Sequence, residues 1–279
     1  MPNEQIQKGH FEPIHNAHAI EHVVFVLQIE PPLDDVRFAE IRKNATQFND
    51  ELPGRMDMQA LRLAIGGPGI AGPVASRAPF GTTFNRSRAD GAVESELSID
   101  RNGVTFRTLL YTRWETVWKQ AHRYFDALVP QYVAQGHITG ISLNYVDKFV
   151  WIGDPSECKP TQFLRAGSKY LCPHVFDLND FWHSHTGAFL RTDPQTKRLL
   201  NINVDYLEEN LPDNSRRVVS ITTILTDMMN QPNYSELKVT PATAIDVLSA
   251  HMQELHAFGK TLFANIINDA MSKRIALTE

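Results

Sequence analysis

The sequence predicts an α+β fold in which antiparallel sheets are covered by helices, and three observations lead there. Residues 104–151 read as an apolar strand (VTFRTLLY), an aromatic amphipathic helix (TRWETVWKQAHRYFDALVPQYVAQG) and a second apolar strand (HITGISLNYVDKFVW). Two tight-turn signals, Ala89-Asp90-Gly91 and Asp100-Arg101-Asn102-Gly103, join short alternating segments as hairpins do. Toward the C-terminus, three more strand-like runs precede a long apolar stripe at helical spacing. Strand pairs flanked by helices on one face imply a ferredoxin-like N-terminal lobe; the C-terminal lobe is strand-rich and ends in a long helix.

In chain order, residues 1–18 are polar, carry Pro2 and Pro13, and read as a loose arm. The run 20–29 is dense in Val, Ile and Phe and reads as a buried strand, stopped by Pro31-Pro32. Asp34 or Asp35 can cap a helix over 36–51, whose apolar face is Val36, Phe38, Ile41, Ala45 and Phe48. Pro53-Gly54 ends it, and 56–65 alternates as a second strand. Residues 66–81 (GGPGIAGPVASRAPFG) read as a long loop, because Gly and Pro at that density deny regular structure; no Gly-Lys-Ser/Thr follows to make it a phosphate cradle. Strands are expected at 80–88, 92–99 and 104–111, an antiparallel meander.

The central helix is expected to start with a capping box, Thr112-Arg113-Trp114-Glu115, and to present Trp114, Val117, Trp118, Ala121, Phe125 and Leu128 as one face, with Pro130 kinking or ending it. Gly153 to Lys159 is the best boundary, giving lobes 14–153 and 160–279 that remain free to pack as one unit. In the second lobe strands are expected at 186–192, 199–207 and 218–227. A helix capped at Thr240-Pro241 should then run to about Ile275, on the order of 50 Å at 1.5 Å per residue, with Gly259 bending it.

Composition bounds the function. The 279 residues are 42% hydrophobic and 21% charged, the balance of a globular chain with a sizeable core. Residues 1–155 hold 15 basic and 18 acidic side chains and 156–279 hold 12 and 14, so neither half offers a broad positive surface to nucleic acid. Cys158 and Cys172, without a CxxC, read as reduced thiols rather than a disulfide framework or zinc site. No apolar leader and no run of about 20 apolar residues occurs, so a cytoplasmic protein with no membrane association is expected.

Candidate chemistry is sparse. In Asp180-Phe-Trp-His183-Ser-His185, an extended backbone would put His183 and His185 on one face, as a metal pair or general base needs; Asp180, His174 or Asp177 would have to complete it. A polar pair at a sheet edge accounts for the same residues. His251 and Glu254 read as a surface pair, and His15, His18 and His22 as exposed. Arg101, Arg107 and Arg113 flank the strand before the tryptophan helix and could grip single-stranded nucleic acid, but Trp114 and Trp118 sit at core spacing rather than forming a stacking platform. No metal and no cofactor is implied.

The step Tyr111-x-x-Trp114-Glu115, the strand Ile141-Ser-Leu-Asn-Tyr145, the approach Asn16-Ala17-His18-Ala19-Ile20 and the pair Leu255-His256 with Phe263 carry a resemblance. Over 14–153 closely, and loosely beyond, the chain resembles a sporadically distributed bacterial family of functionally uncharacterised proteins. That family's usual Leu-Arg-Tyr-Ile-Asn strand is replaced here by Leu143-Asn144-Tyr145-Val146-Asp147, without the arginine. The resemblance implies no known activity; the family's patchy occurrence is similar to that of defence and mobile-element genes. The expectation is an intracellular, non-catalytic binding or regulatory protein, with a protein partner or self-association through the C-terminal helix, and the glycine-rich loop as a second contact. The alternatives are an RNA- or DNA-handling protein, such as a nuclease, on paired ferredoxin-like lobes, and a small-ligand binder with the last helix closing a cavity of several hundred Å3.

Overall fold

A computed structural model of the chain describes residues 9–64, 74–211 and 214–277. Among these residues ten antiparallel strands form one sheet: β1 (His10–Pro13), β2 (Ile20–Glu30), β3 (Gly54–Ala64), β4 (Val74–Ser87), β5 (Val93–Asp100), β6 (Gly103–Thr108), β7 (His137–Ile152), β8 (Trp182–Arg191), β9 (Thr196–Asn210) and β10 (Ser215–Met229). Helices α1 (Asp35–Ala45), α2 (Trp114–Val133), α3 (Ala244–Ala264) and α4 (Asp269–Arg274) complete the α+β fold. The strand order is β3-β4-β5-β6-β2-β7-β10-β9-β8, and β1 pairs with the far end of β7. Among the described residues no helix is long and apolar enough to cross a membrane.

β7 is the hub. Its 16 residues pair with β2 and β1 on one edge and with β10 on the other, from Val150↔Val218 to Gly140↔Met228. Segments 14–153 and 160–279 therefore share one sheet. Alternation in β7 decides the layering: Ile141, Leu143, Tyr145, Phe149 and Trp151 face the helices, in register with Phe25 of β2 and Leu225 of β10. The opposite face carries His22, Val146, Thr222, Asn203 and His185 in one row across five strands.

α2 lies on the apolar face because its three-and-four spacing aims Val117, Ala121, Phe125 and Leu128 at β2, β6 and β7. Burial of Val117, Phe125 and Leu128 contributes about 1.5–3 kcal/mol each, that of Ala121 less. Trp114 and Trp118, 6% and 8% exposed, stack on each other (5.8 Å, 4° between planes) and lean on Phe25. They are interior residues, as their spacing predicts. The Thr112 capping box does not form. The N-cap is Arg113, one residue later, and no side chain caps the first turn. Pro130 is absorbed, and the helix runs three residues beyond it.

Several other expectations need correction. The polar N-terminal arm contains β1, because Phe11 is buried against Trp151 and Phe163. The predicted loop at 66–81 lies outside the described residues over 65–73, and from Val74 onward the chain is β4. The predicted α1 stops at Ala45 and ends in a 3-10 turn (Thr46–Phe48); its cap is Asp34, whose carboxylate accepts from the Arg37 amide at 2.8 Å. The 50 Å C-terminal helix is a 21-residue α3 of roughly 31 Å. It starts at Ala244, passes straight through Gly259, and stops at Asn265; Asn268 then caps the short α4, accepting from the Met271 amide. The apolar stripe meant for a partner (Leu248, Met252, Leu255, Leu262) is buried inside the chain on β7, β10 and α2. Between β7 and β8 the chain makes 3-10 turns that tuck Phe163, Leu164, Leu171 and Val175 into the core.

Candidate functional site

The predicted site residues do not converge. Extended β8 does put His183 and His185 on one exposed face, with rings 6.4 Å apart, but each is engaged by the neighbouring strand: His183 with Asp205 at 2.5 Å and His185 with Asn201 at 2.6 Å. Asp180 instead accepts from the Phe181 amide, and His174 bonds Cys172. Among the described residues no cluster of three or more His, Cys, Asp or Glu side chains is arranged to hold a metal. The arginines scatter too. Arg101 is buried against Phe38, donating to the Leu33 carbonyl and pairing with Asp35; Arg107 lies on the helix-free face of the sheet; Arg113 is the exposed cap of α2. Both cysteines are free thiols, Cys158 buried and Cys172 exposed.

Of His251 and Glu254, expected as a surface pair, His251 reaches inward from α3 while Glu254 stays exposed. Asp227 of β10 is 0% exposed and takes a two-pronged hydrogen bond from Arg198 of β9 (2.6 and 2.8 Å) and a third contact from His251 Nδ1 (2.8 Å); Glu254 holds the other side of Arg198 at 3.3 Å. Burial pushes the Asp227 carboxyl up, but its bonds to Arg198 and His251 outweigh that and hold it below the usual value. Both oxygens of the buried Asp227 carboxylate are thus engaged. It clamps α3 to the sheet.

A different set of residues does converge. A cavity of about 430 Å3 opens between the sheet, the start of α2, α3 and the chain after α4. Its inner wall is the helix-facing side of β7 and β10, where Tyr145, Asp147 and Thr223 sit. Ala17 to Ile20 enter from the lead into β2, Tyr111 to Glu115 from the lead into α2, and His256, Gly259, Lys260 and Phe263 from α3. Gly259 allows this closeness: a Cβ there would stand 3.3 Å from Leu225. Residues from Ala17 to Leu277, scattered over some 260 positions of sequence, thus meet around one space.

The chemistry of that space is unusual for a core. Asp147 is 5% exposed, occupies a position on the apolar face of β7, and accepts no hydrogen bond from the described residues. Burial alone pushes its carboxyl up to about 8, so it is protonated at neutral pH. Thr223, 3% exposed, has an unpaired hydroxyl. Tyr145 shares a hydrogen bond with His256 Nδ1 at 3.0 Å, and the His256 ring lies flat on Trp114 (4.0 Å, 1°). Burial, then the charge on Lys260, pushes that imidazole down to about 4, so it is neutral. The Tyr111 hydroxyl is pushed well up by burial and by the charges of Asp147 and Glu115. Burial and the nearby His15 push His18 toward its neutral form. His18, expected in solvent, is half-buried against Tyr111 (5.3 Å) and lines the space.

Asp147 is the residue sequence reading missed, although a signal existed. In Ile141-x-Leu143-x-Tyr145-x-Asp147-x-Phe149 an acid takes a position that period two assigns to the apolar face. No family model matches this chain, and no curated protein matches it.

Proposed function

We propose that this protein is a small-ligand binder and that the cavity lined by Asp147 is its binding site. One observation carries the reading: a carboxylic acid buried inside a cavity without a hydrogen-bond partner. Burial penalises the charge of that group, and a bound ligand with a complementary group offsets the penalty. A volume of about 430 Å3 falls within the range of ligand sites, and the mixed lining of aromatic walls and a few polar groups matches their usual make-up. The binding is to a molecule rather than through a protruding helix, since α3 spends its apolar stripe on its own sheet. A nucleic-acid reading loses its stacking platform with Trp114 and Trp118 buried. The order β5-β6-β2-β7, with α2 crossing from β6 to β7 over β2, supports describing the N-terminal part as ferredoxin-like.

The test is ligand-observed NMR with a library of small polar fragments, run on the wild type and on Asp147→Leu. Leucine suits the apolar face of β7 and fills the inner wall. Fragments that bind the wild type and are lost with Asp147→Leu are expected. Hits that survive the substitution, or no hits from several hundred fragments, would refute the proposal.

A further inference from the structure

We infer that the ligand class is a small organic cation, an alkylammonium whose charged head lies against the Asp147 carboxyl with Tyr111 and Tyr145 as walls. This rests on the cavity being the binding site. Three features of the cavity lead to a cation. First, the Asp147 carboxyl is the deepest charged-capable group, and its acceptor positions are uncommitted; an ammonium supplies the donors that the protein withholds. Second, Tyr111 and Tyr145 meet nearly at right angles (6.3 Å, 77°), with Phe263 close by on α3. Aromatic walls set around a carboxyl are how proteins hold ammonium groups, because ring faces carry negative potential. Trp114 is not one of these walls, since His256 and Trp118 both stack on it.

Third, among the described residues the positive side chains of the lining are two exposed ones, Arg113 and Lys260. The groups facing Asp147 from its own strand and from β10 are Tyr145 and Thr223. From the leads into β2 and α2 they are His18, Tyr111, Arg113 and Glu115, and from α3, His256 and Lys260. The two imidazoles are pushed toward neutrality, and Arg113 and Lys260 are solvent-exposed residues. Above the titration of the Asp147 carboxyl near 8, an anion entering the cavity would meet a like charge, whereas a cation gains a partner and by binding draws the carboxyl into that form. A cation would meet Asp147 within and Glu115 at the rim, the two carboxyls that Tyr111 already senses.

The experiment compares three probes of nearly equal size, butylammonium, 1-butanol and butyrate, by NMR titration of the intact protein at pH 6, 7 and 8. Butylammonium is expected to bind, and its affinity should rise about 50-fold from pH 6 to pH 8, because binding the ammonium requires Asp147, with its carboxyl near 8, to release its proton to solvent. Asp147→Asn should weaken butylammonium at least tenfold and flatten that pH profile. Butanol or butyrate binding in the cavity while butylammonium does not would overturn the cation assignment and leave the pocket standing. Butylammonium binding with no pH dependence, measurable on the wild type alone, would also overturn it. Failure of all three probes to bind would remove the pocket as well.

Discussion

Replacing Asp147 by Asn should change how stability depends on pH, and the size of the effect follows from its surroundings. The carboxyl sits near 3.8 in an unfolded chain and near 8 in the fold, where burial penalises its charge. Between those values the native state holds a proton that the unfolded state has released, so unfolding liberates a proton and rising pH favours it. At about 1.4 kcal/mol per unit over a gap of about four units, wild-type stability should fall by on the order of 5 kcal/mol between pH 4 and pH 8 from this one group. Above pH 8 the loss levels off. An asparagine side chain has the same shape and no titration, so Asp147→Asn should match the wild type at and below about pH 3.5 and exceed it by several kcal/mol at pH 8.5. Urea unfolding at the two pH values, followed by tryptophan fluorescence, measures both gaps. Parallel profiles for the two proteins would show that the Asp147 carboxyl is solvated or paired in the native state, and the account of the cavity would fail with it.

Other expected outcomes are simpler. Asp227→Asn removes the charge shared by Arg198 and His251 inside the core, and should cost roughly 3–5 kcal/mol in urea unfolding because a buried guanidinium loses its partner. Trp118→Ala empties the space between Trp114 and Phe25 and should cost roughly 3–5 kcal/mol, lowering the melting temperature measured by calorimetry. Changing both His183 and His185 to Ala should leave stability within about 0.5 kcal/mol and zinc content unchanged by elemental analysis, since both side chains are exposed and lack a third ligand. Tyr145→Phe strips the hydroxyl from His256 Nδ1 and should destabilise the fold by about 1–3 kcal/mol while shifting the imidazole nitrogen resonances.

Local signals read true where one element decides its own fate. The apolar run of β2, the Asp34 cap, the Ala89-Asp90-Gly91 turn with Gly91 at φ +83° and the buried face of α2 were all legible. Asn102-Gly103 also turns the chain, but for another reason: a Cβ at Gly103 would collide with the Leu27 carbonyl across the sheet. What could not be read was set by partners far away in sequence. Phe11 becomes a strand residue only because Trp151 and Phe163 stand ready to cover it. The stripe of α3 looked available for another molecule because nothing local says that β7 and β10 lie beneath it. The break at Asn265 to Asn268 was readable, since asparagine both ends and begins helices, but the continuing apolar pattern of Ile266 and Ile267 masked it. The cavity is the extreme case, because its lining comes from six separate segments.

The central position of β7 has a consequence for synthesis on the ribosome. Its second edge must wait for β10, which ends roughly 75 residues later; at about 5–20 residues per second that is a delay of several seconds. During it a long row of unsatisfied amides and carbonyls, backed by Leu143 and Phe149, is available to any other nascent chain. Expression should therefore respond to translation speed and to chaperone supply, and slow codons placed between β7 and β10 should lower soluble yield.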